Sequence, residues 1–276
     1  MTSILIPALA IGAVGLVLGA ILFAASKLFY VEVDERVEKI TSCLSGANCG
    51  GCGYAGCGAY AAAIVNDGAP INCCGAGGQT AVNAIAEIMG VEAAEVEPMR
   101  AVVLCSGTHD KAPDNYEYYG IADCLAASKL QGGGHKACGY GCLGYGKCVT
   151  ACSEGGISIV DGVAVVDSAS CIACGGCKTA CPKNIIDLIP VKNKIYVKCR
   201  SCDKGAAMKQ KCSVGCIGCR LCEKACPAGA IAVTNNVAAI DYAKCTQCGL
   251  CVDKCPRHII VNENAAATTA EITEKD

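Results

Sequence analysis

The sequence predicts an α+β chain built from an apolar N-terminal helix, a small cysteine-rich domain and a duplicated module. Three observations predict it: a long uncharged run at the N-terminus, 27 cysteines among 276 residues, and eight cysteines whose spacing recurs at one constant offset. A cysteine density near one in ten belongs either to a disulfide scaffold or to a chain that binds many metal centres. Disulfide scaffolds are usually small secreted domains without a sufficient core, whereas this chain is 53% apolar and long enough for two or three domains. The odd count also leaves one thiol over. There is no tryptophan and there are only two phenylalanines, so the folded parts need an organising centre other than aromatic packing.

From Ile4 to Ala25 the chain reads ILIPALAIGAVGLVLGAILFAA, without a charge. As a helix it would extend about 33 Å at ~1.5 Å per residue, which matches a bilayer core of roughly 30 Å. The expectation is a single transmembrane helix over residues 1–30. A cleaved signal peptide would show a basic leading region, a shorter apolar run and a small-residue cleavage site. Lys27, Arg36 and Lys39 follow the run and nothing basic precedes it, so the positive-inside bias puts the C-terminal bulk in the cytoplasm. That predicts a single-pass protein of the cell membrane, with lipid as a partner and a reducing compartment that disfavours disulfides. Gly12, Gly15 and Gly19 share one face, where a neighbouring membrane helix could approach closely. A charged, helix-compatible connector, VEVDERVEKI, opens a domain over 31–98, and a cysteine-bearing linking segment covers 99–137. The duplicated modules follow at 138–190 and, with a second linking segment, at 191–262. Residues 263–276 form a polar tail that reads as disordered.

Cys138, Cys142, Cys148, Cys152, Cys171, Cys174, Cys177 and Cys181 recur 74 residues later as Cys212, Cys216, Cys222, Cys226, Cys245, Cys248, Cys251 and Cys255. Eight matches at one offset mean a duplication. Within the copies, ISIVDGVAVVD and IAVTNNVAAID read as hairpins, with short helices at each third cysteine. CIACGGCKTACP, CIGCRLCEKACP and CTQCGLCVDKCP carry the C-x2-C-x2-C-x3-C-P pattern. A 4Fe-4S cluster takes three thiolates from such a loop and a fourth from the distant cysteine of the partner motif. Zinc needs only paired C-x2-C and leaves the third close cysteine and Pro182, Pro227 and Pro256 unexplained. The modules are therefore read as two-cluster, ferredoxin-like units of βαβ type. Cross-ligation assigns Cys216, Cys219, Cys222 and Cys255 to one cluster and Cys245, Cys248, Cys251 and Cys226 to another. Cys171, Cys174 and Cys177 take Cys152. The remaining site has Tyr145 where the second copy has Cys219, leaving Cys142, Cys148 and Cys181, and Cys138 is the expected replacement.

Upstream, NCGGCGYAGCGAYAAAIVNDGAPINCCGAGG gives Cys49-x2-Cys52-x4-Cys57-x16-Cys74, a different frame in which glycines let backbone close around a cluster. This stretch resembles the small iron-sulfur domain in the B subunit of Rnf electron-transport complexes, where a membrane helix precedes the domain and ferredoxin-like modules follow. YEYYGIADCLAASKLQGGGHKACGYGCLGYGKCV and VKCRSCDKGAAMKQKCSVGCIGC resemble the long, cysteine-rich form of anaerobes, so the resemblance covers essentially the whole chain. It implies one subunit of a membrane-bound ferredoxin:NAD+ oxidoreductase that couples electron flow to sodium or proton translocation. This chain would take electrons from reduced ferredoxin and relay them by serial one-electron hops to membrane partners. No G-x-G-x-x-G follows a strand, so NAD and flavin would sit on other subunits. An anchored polyferredoxin serving a hydrogenase or another dehydrogenase is the alternative, though it has no need of the Cys49–Cys74 domain; a structural zinc protein is the alternative of another class. Neither a catalytic bond-making residue nor a nucleic-acid partner is expected.

Five clusters use 20 cysteines and leave Cys43, Cys73, Cys105, Cys124, Cys199, Cys202 and Cys212. Cys124 lies 14 residues before Cys138 and Cys199 lies 13 before Cys212, which suggests that the duplication extends upstream. A candidate sixth site is therefore Cys105, Cys124, Cys199 and Cys212, with Cys202 as substitute and Cys43 and Cys73 as free thiols. Residues 191–260 hold 12 Lys or Arg and 4 Asp or Glu, while the whole chain is −2. This basic balance suits an acidic ferredoxin at Lys204, Lys209 and Lys211, although the negative charge of bound clusters cancels much of it. His109, His135 and His258 are read as surface or turn residues, and Tyr116, Tyr118 and Tyr119 as packing around clusters.

Overall fold

The computed structural model describes residues 2–28 and 34–264. It opens with α1 (Thr2–Leu28), whose described side chains are Ile6 and those from Gly12 to Lys27. Leu16, Ile21, Leu22 and Phe23 stand exposed on it, and no other element approaches Gly12, Gly15 or Gly19. The expected transmembrane span is not supported on these residues: among the described residues no helix is long and apolar enough to cross a membrane. The expected disordered tail lies outside the described residues from 265 onward, as do residues 29–33.

Three helices follow: α2 (Glu35–Cys43), α3 (Cys57–Asp67) and α4 (Gly78–Met89). The Asp34 carboxylate accepts the Arg36 N–H at 2.8 Å and so starts α2. Gly68 and Gly90 end α3 and α4 in the left-handed region. Ile40, Tyr60, Ile64 and Ile85 form the buried core between the three helices. The Tyr60 hydroxyl donates to the Pro70 carbonyl at 2.6 Å and accepts the Cys73 N–H at 3.0 Å, which pins the Cys73–Cys74 loop against α3.

The first repeat comprises β1 (Met99–Val103), α5 (Cys124–Ser128), α6 (Lys147–Thr150), β2 (Ile157–Val160), β3 (Val163–Val166), α7 (Gly176–Ala180) and β4 (Ile186–Pro190). The second comprises β5 (Ile195–Val197), α8 (Gly205–Lys211), α9 (Leu221–Ala225), β6 (Ile231–Thr234), β7 (Val237–Ile240), α10 (Leu250–Asp253) and β8 (Ile260–Asn262). A β-α-β order is present in each half, yet all four sheets are two-stranded and antiparallel. The outer strands pair, β1 with β4 and β5 with β8, and each inner hairpin closes on itself. Asp161-Gly162 and Asn235-Asn236 take positive φ at both turn positions, the requirement of a type I′ hairpin.

Val103 pairs with Ile186 and Val197 with Ile260. Leu104 and Lys198, one residue on, donate to the Ile185 and Ile259 carbonyls at 2.7 and 2.8 Å. Cys105 and Cys199 therefore occupy matching positions, each two residues past its strand. The path from there to Cys138 is twenty residues longer than the path to Cys212; the first repeat carries an insertion, and α5 lies within it.

A buried charge cluster ties the repeats together. Arg100 on β1 is 2% exposed and meets Glu263 beyond β8 at 2.6 Å. It also donates to the Ser168 hydroxyl at 2.9 Å and the Asn193 carbonyl at 3.1 Å, while the Tyr196 hydroxyl donates to Glu263 at 3.1 Å.

Candidate iron-sulfur centres

The cysteine loops share one backbone trace. Gly144 and Gly146, Ala173 and Gly175, Gly218 and Arg220, and Gln247 and Gly249 are all left-handed, each at the second and fourth positions after the first cysteine of its loop. This conformation costs a residue with a β-carbon roughly 1–2 kcal/mol, so its presence at Ala173, Arg220 and Gln247 marks a path imposed on the chain. The loop containing Tyr145 keeps the path although it has lost the middle cysteine.

Six sets of four thiols result. Cys52, Cys57 and Cys74 join the three-helix core, and Asn48 accepts the Cys57 N–H at 2.9 Å, folding the exposed Cys49 back on α3. Cys152, Cys171, Cys174 and Cys177 line one cavity of the first repeat. Another is lined by Cys124, Cys142, Cys148 and Cys181. Between the repeats lies a cavity lined by Cys105, Cys138, Cys199 and Cys212. In the second repeat Cys216, Cys219, Cys222 and Cys255 share a cavity, and Cys226, Cys245 and Cys248 surround Cys251.

Two positions differ from the expected grouping. Cys124, not Cys138, completes the set with Cys142, Cys148 and Cys181, and Cys138, not Cys124, joins Cys105, Cys199 and Cys212. The near-equal distances of 14 and 13 residues matched Cys124 with Cys199, whereas strand pairing matches Cys105 with Cys199. Asp123 explains the placement of Cys124: it caps α5 through the Leu125 and Ala126 N–H groups at 2.8 and 3.1 Å and meets Lys147 of α6 at 3.1 Å, beside Cys148. Tyr145 packs over Cys124 and Leu143 with Tyr118.

Cys43, Cys73 and Cys202 stand outside the six sets. Of the histidines, His135 is buried rather than at the surface, with its Nδ1 3.2 Å from the Tyr145 hydroxyl and its Nε2 3.6 Å from Asp114. Tyr119, expected beside a cluster, is 87% exposed.

Comparison with known proteins follows the same layout. Residues 44–75 match a family profile described as "Putative Fe-S cluster", 164–187 match a 4Fe-4S binding domain, and 215–260 match a 4Fe-4S dicluster domain. The chain is 47% identical over 276 residues to the B subunit of the Na(+)-translocating ferredoxin:NAD(+) oxidoreductase complex of Acetobacterium woodii, covering 99% of this chain and 83% of that protein. It is 45% identical to the B subunit of the ion-translocating oxidoreductase complex of Methanosarcina acetivorans, over 94% of this chain and 99% of the relative. The B subunit of the proton-translocating ferredoxin:NAD(+) oxidoreductase complex of Clostridium ljungdahlii is 42% identical, over 88% and 87%. The chain belongs to the B-subunit family of Rnf ion-translocating oxidoreductase complexes.

The three profiles leave part of this Rnf-family chain uncovered, including Cys105, Cys124, Cys138, Cys199 and Cys212. The donor set fits iron-sulfur clusters: every candidate ligand is a thiol, and the glycine-rich loops bring backbone close to sulfur. Among the described residues no group of three or more His, Cys, Asp or Glu side chains is placed to hold a single metal ion. A cubic cluster asks for a wider frame, because each thiolate meets a different iron.

Electrostatics fit as well. Burial, and then the neighbouring Cys142, Cys124 and Cys181, push the Cys148 thiol up to about 12. Burial likewise lifts Cys199 to about 12, and Cys177, Cys222 and Cys251 to about 11. Such thiols stay protonated near neutral pH until iron displaces the proton. Backbone N–H groups already point at sulfur: Ala101 at Cys171, Cys142 at Cys105 and Cys216 at Cys199, all at 3.4 Å, and Ala230 at Cys226 at 3.3 Å. Gln247, held by accepting the Lys194 and Ile195 N–H groups, donates to Cys245 at 3.1 Å. These groups favour the charged sulfur and tune its partner metal. The spacing of cysteines carries no trace of Gln247.

Proposed function

We propose that the chain is an anchored, multi-cluster electron carrier that takes electrons from reduced ferredoxin and relays them, one at a time, to membrane partners of an ion-translocating ferredoxin:NAD+ oxidoreductase. One 4Fe-4S cluster at each cysteine set would supply the one-electron acceptance and release. The observation that carries this reading is the unbroken order of the sets. The Cys49 loop abuts Cys174 so closely that a β-carbon on Gly51 would collide with the Cys174 carbonyl. Both sets of the first repeat share one core cluster. Cys142 donates its N–H to Cys105, and Cys216 donates to Cys199, so the middle set touches both repeats. The two sets of the second repeat again share one core. Along this line the four cysteines of the middle set are buried, whereas Cys49 near one end and Cys219 and Cys248 near the other are exposed.

The uncharged run Ile4–Ala25 supports attachment to the cell membrane next to the Cys49 end, with the C-terminal bulk in the cytoplasm. Electrons then enter through the second repeat, where the sequence is most basic. There the exposed Lys204, just before α8, and Lys209 on it make no ion pair among the described residues, while Lys211 is bonded to Asp203 at 2.9 Å. Flavin and nicotinamide belong to other subunits. The test is stopped-flow reduction of the reconstituted chain by reduced ferredoxin. The double variant Lys204→Glu, Lys209→Glu should slow the reaction at low salt and lose that difference at high salt. Equal rates for both proteins at low salt would remove this docking face, and no reduction of the wild-type chain would remove the electron-carrier reading.

A further inference from the structure

Three cations hold the loops around the middle set without a carboxylate partner among the described residues; Lys183 also lines the cavity of Cys124, Cys142, Cys148 and Cys181, and Arg257 that of Cys216, Cys219, Cys222 and Cys255. Lys136 is 2% exposed, and its Nζ donates to the carbonyls of Gly107 at 2.8 Å and Gly162 at 3.1 Å. Gly107 belongs to the Cys105 loop and donates its own N–H to Cys105 Sγ at 3.4 Å. Lys183 Nζ donates to the carbonyls of Gly139, at 2.7 Å, and Gly133; Gly139 follows Cys138. Arg257 donates through Nη2 to the Cys212 carbonyl at 2.7 Å and through Nε to the Gly215 carbonyl at 3.3 Å. Lys183 and Arg257 are repeat-mates at the 74-residue offset, whereas Lys136 corresponds to Gln210.

A buried ammonium that meets only carbonyl dipoles is costly unless a compensating negative charge lies near. Here the three cations hold the loops that carry Cys105, Cys138 and Cys212, and an iron-sulfur cluster with four thiolates is a negative charge that grows by one on reduction. We propose that Lys136, Lys183 and Arg257 are charge-tuning residues that stabilise the reduced state of the middle cluster and place its potential above those of its two neighbours in the line. This rests on the assignment of Cys105, Cys138, Cys199 and Cys212 as one site. The middle cluster then acts as a reservoir, holding an electron between the repeats until the next site is free.

The experiment is an anaerobic redox titration of the full, reconstituted chain, followed by EPR and accompanied by iron and labile-sulfide analysis. The signal lost in Cys138→Ser identifies the middle cluster; wild-type chains with about 20 irons rather than about 24 would defeat the site assignment itself. In Lys183→Gln and Arg257→Gln the reduced-to-oxidised ratio of that cluster at fixed poise should fall about tenfold, equivalent to about 59 mV, with a smaller shift in the one neighbouring cluster whose cavity the residue lines and none in the rest. Lys183→Arg, which supplies the residue of the second repeat, should keep the wild-type value. Lys136→Gln should act in the same direction as the other two neutral variants. With iron content retained, unchanged midpoints in both Lys183→Gln and Arg257→Gln would overturn the proposal. So would a shift as large in Lys183→Arg as in Lys183→Gln, which would show that shape rather than charge matters.

Discussion

Cys124 and Cys138 carry the sharpest consequence of the structure at the residue scale. Tyr145 stands where the second repeat has Cys219, and the missing thiol is restored by Cys124 from an insertion instead of by the nearer Cys138. Cys124→Ser and Cys138→Ser should therefore each reduce iron from about 24 to about 20 per chain, but different EPR signals should disappear. Loss of the same signal in both variants would return Cys138 to the first repeat. The thiols that line these cavities were all singled out in the sequence, but part of their grouping was not legible there. All four thiols of each regular loop could be assigned because C-x2-C-x2-C fixes three corners locally. Cys105 and Cys199 are matched by strand pairing and Cys124 is brought in by an insertion, and chain distance carries no record of either.

Short elements with strained loops define the next scale. The hairpins at Asp161-Gly162 and Asn235-Asn236 were readable from turn chemistry alone, and the short helices from the cysteine period. Antiparallel pairing of the outer strands was hidden, since β1 lies far from β4 in sequence and falls in a segment that reads as a linker. The contact between the first domain and the first repeat was equally hidden. It depends on two glycines, Gly51 and Gly75, whose missing side chains let the Cys49 and Cys74 loops lie on the carbonyls of Cys174 and Ala173. Gly51→Ala should lift one loop from the other while leaving both thiol sets intact. Rapid-freeze EPR should then show normal iron content but slowed equilibration, by tenfold or more, between the first cluster and the rest. Wild-type equilibration in Gly51→Ala would show that this approach is not the route.

For the whole molecule the question is what keeps the repeats in register. The Arg100–Glu263 pair is anchored on the buried side by Ser168 and Asn193 and on the other by Tyr196. Glu263→Ala leaves an arginine that is 2% exposed without its counter-charge; Glu263 is partly solvent-accessible, so the cost should be about 2–3 kcal/mol. Guanidinium denaturation followed by circular dichroism should show the midpoint falling, and an unchanged midpoint would mean that this seam contributes nothing. The middle set sits across the same seam. Its thiols come as Cys105 and Cys138 from one copy and Cys199 and Cys212 from the other, so neither copy alone holds more than half of it. Each of the other sets in the repeats draws its four thiols from one copy, but the central site is complete only when both copies have folded and met. The middle set is thus conditional on the whole chain: truncation of either half removes two of its four thiols.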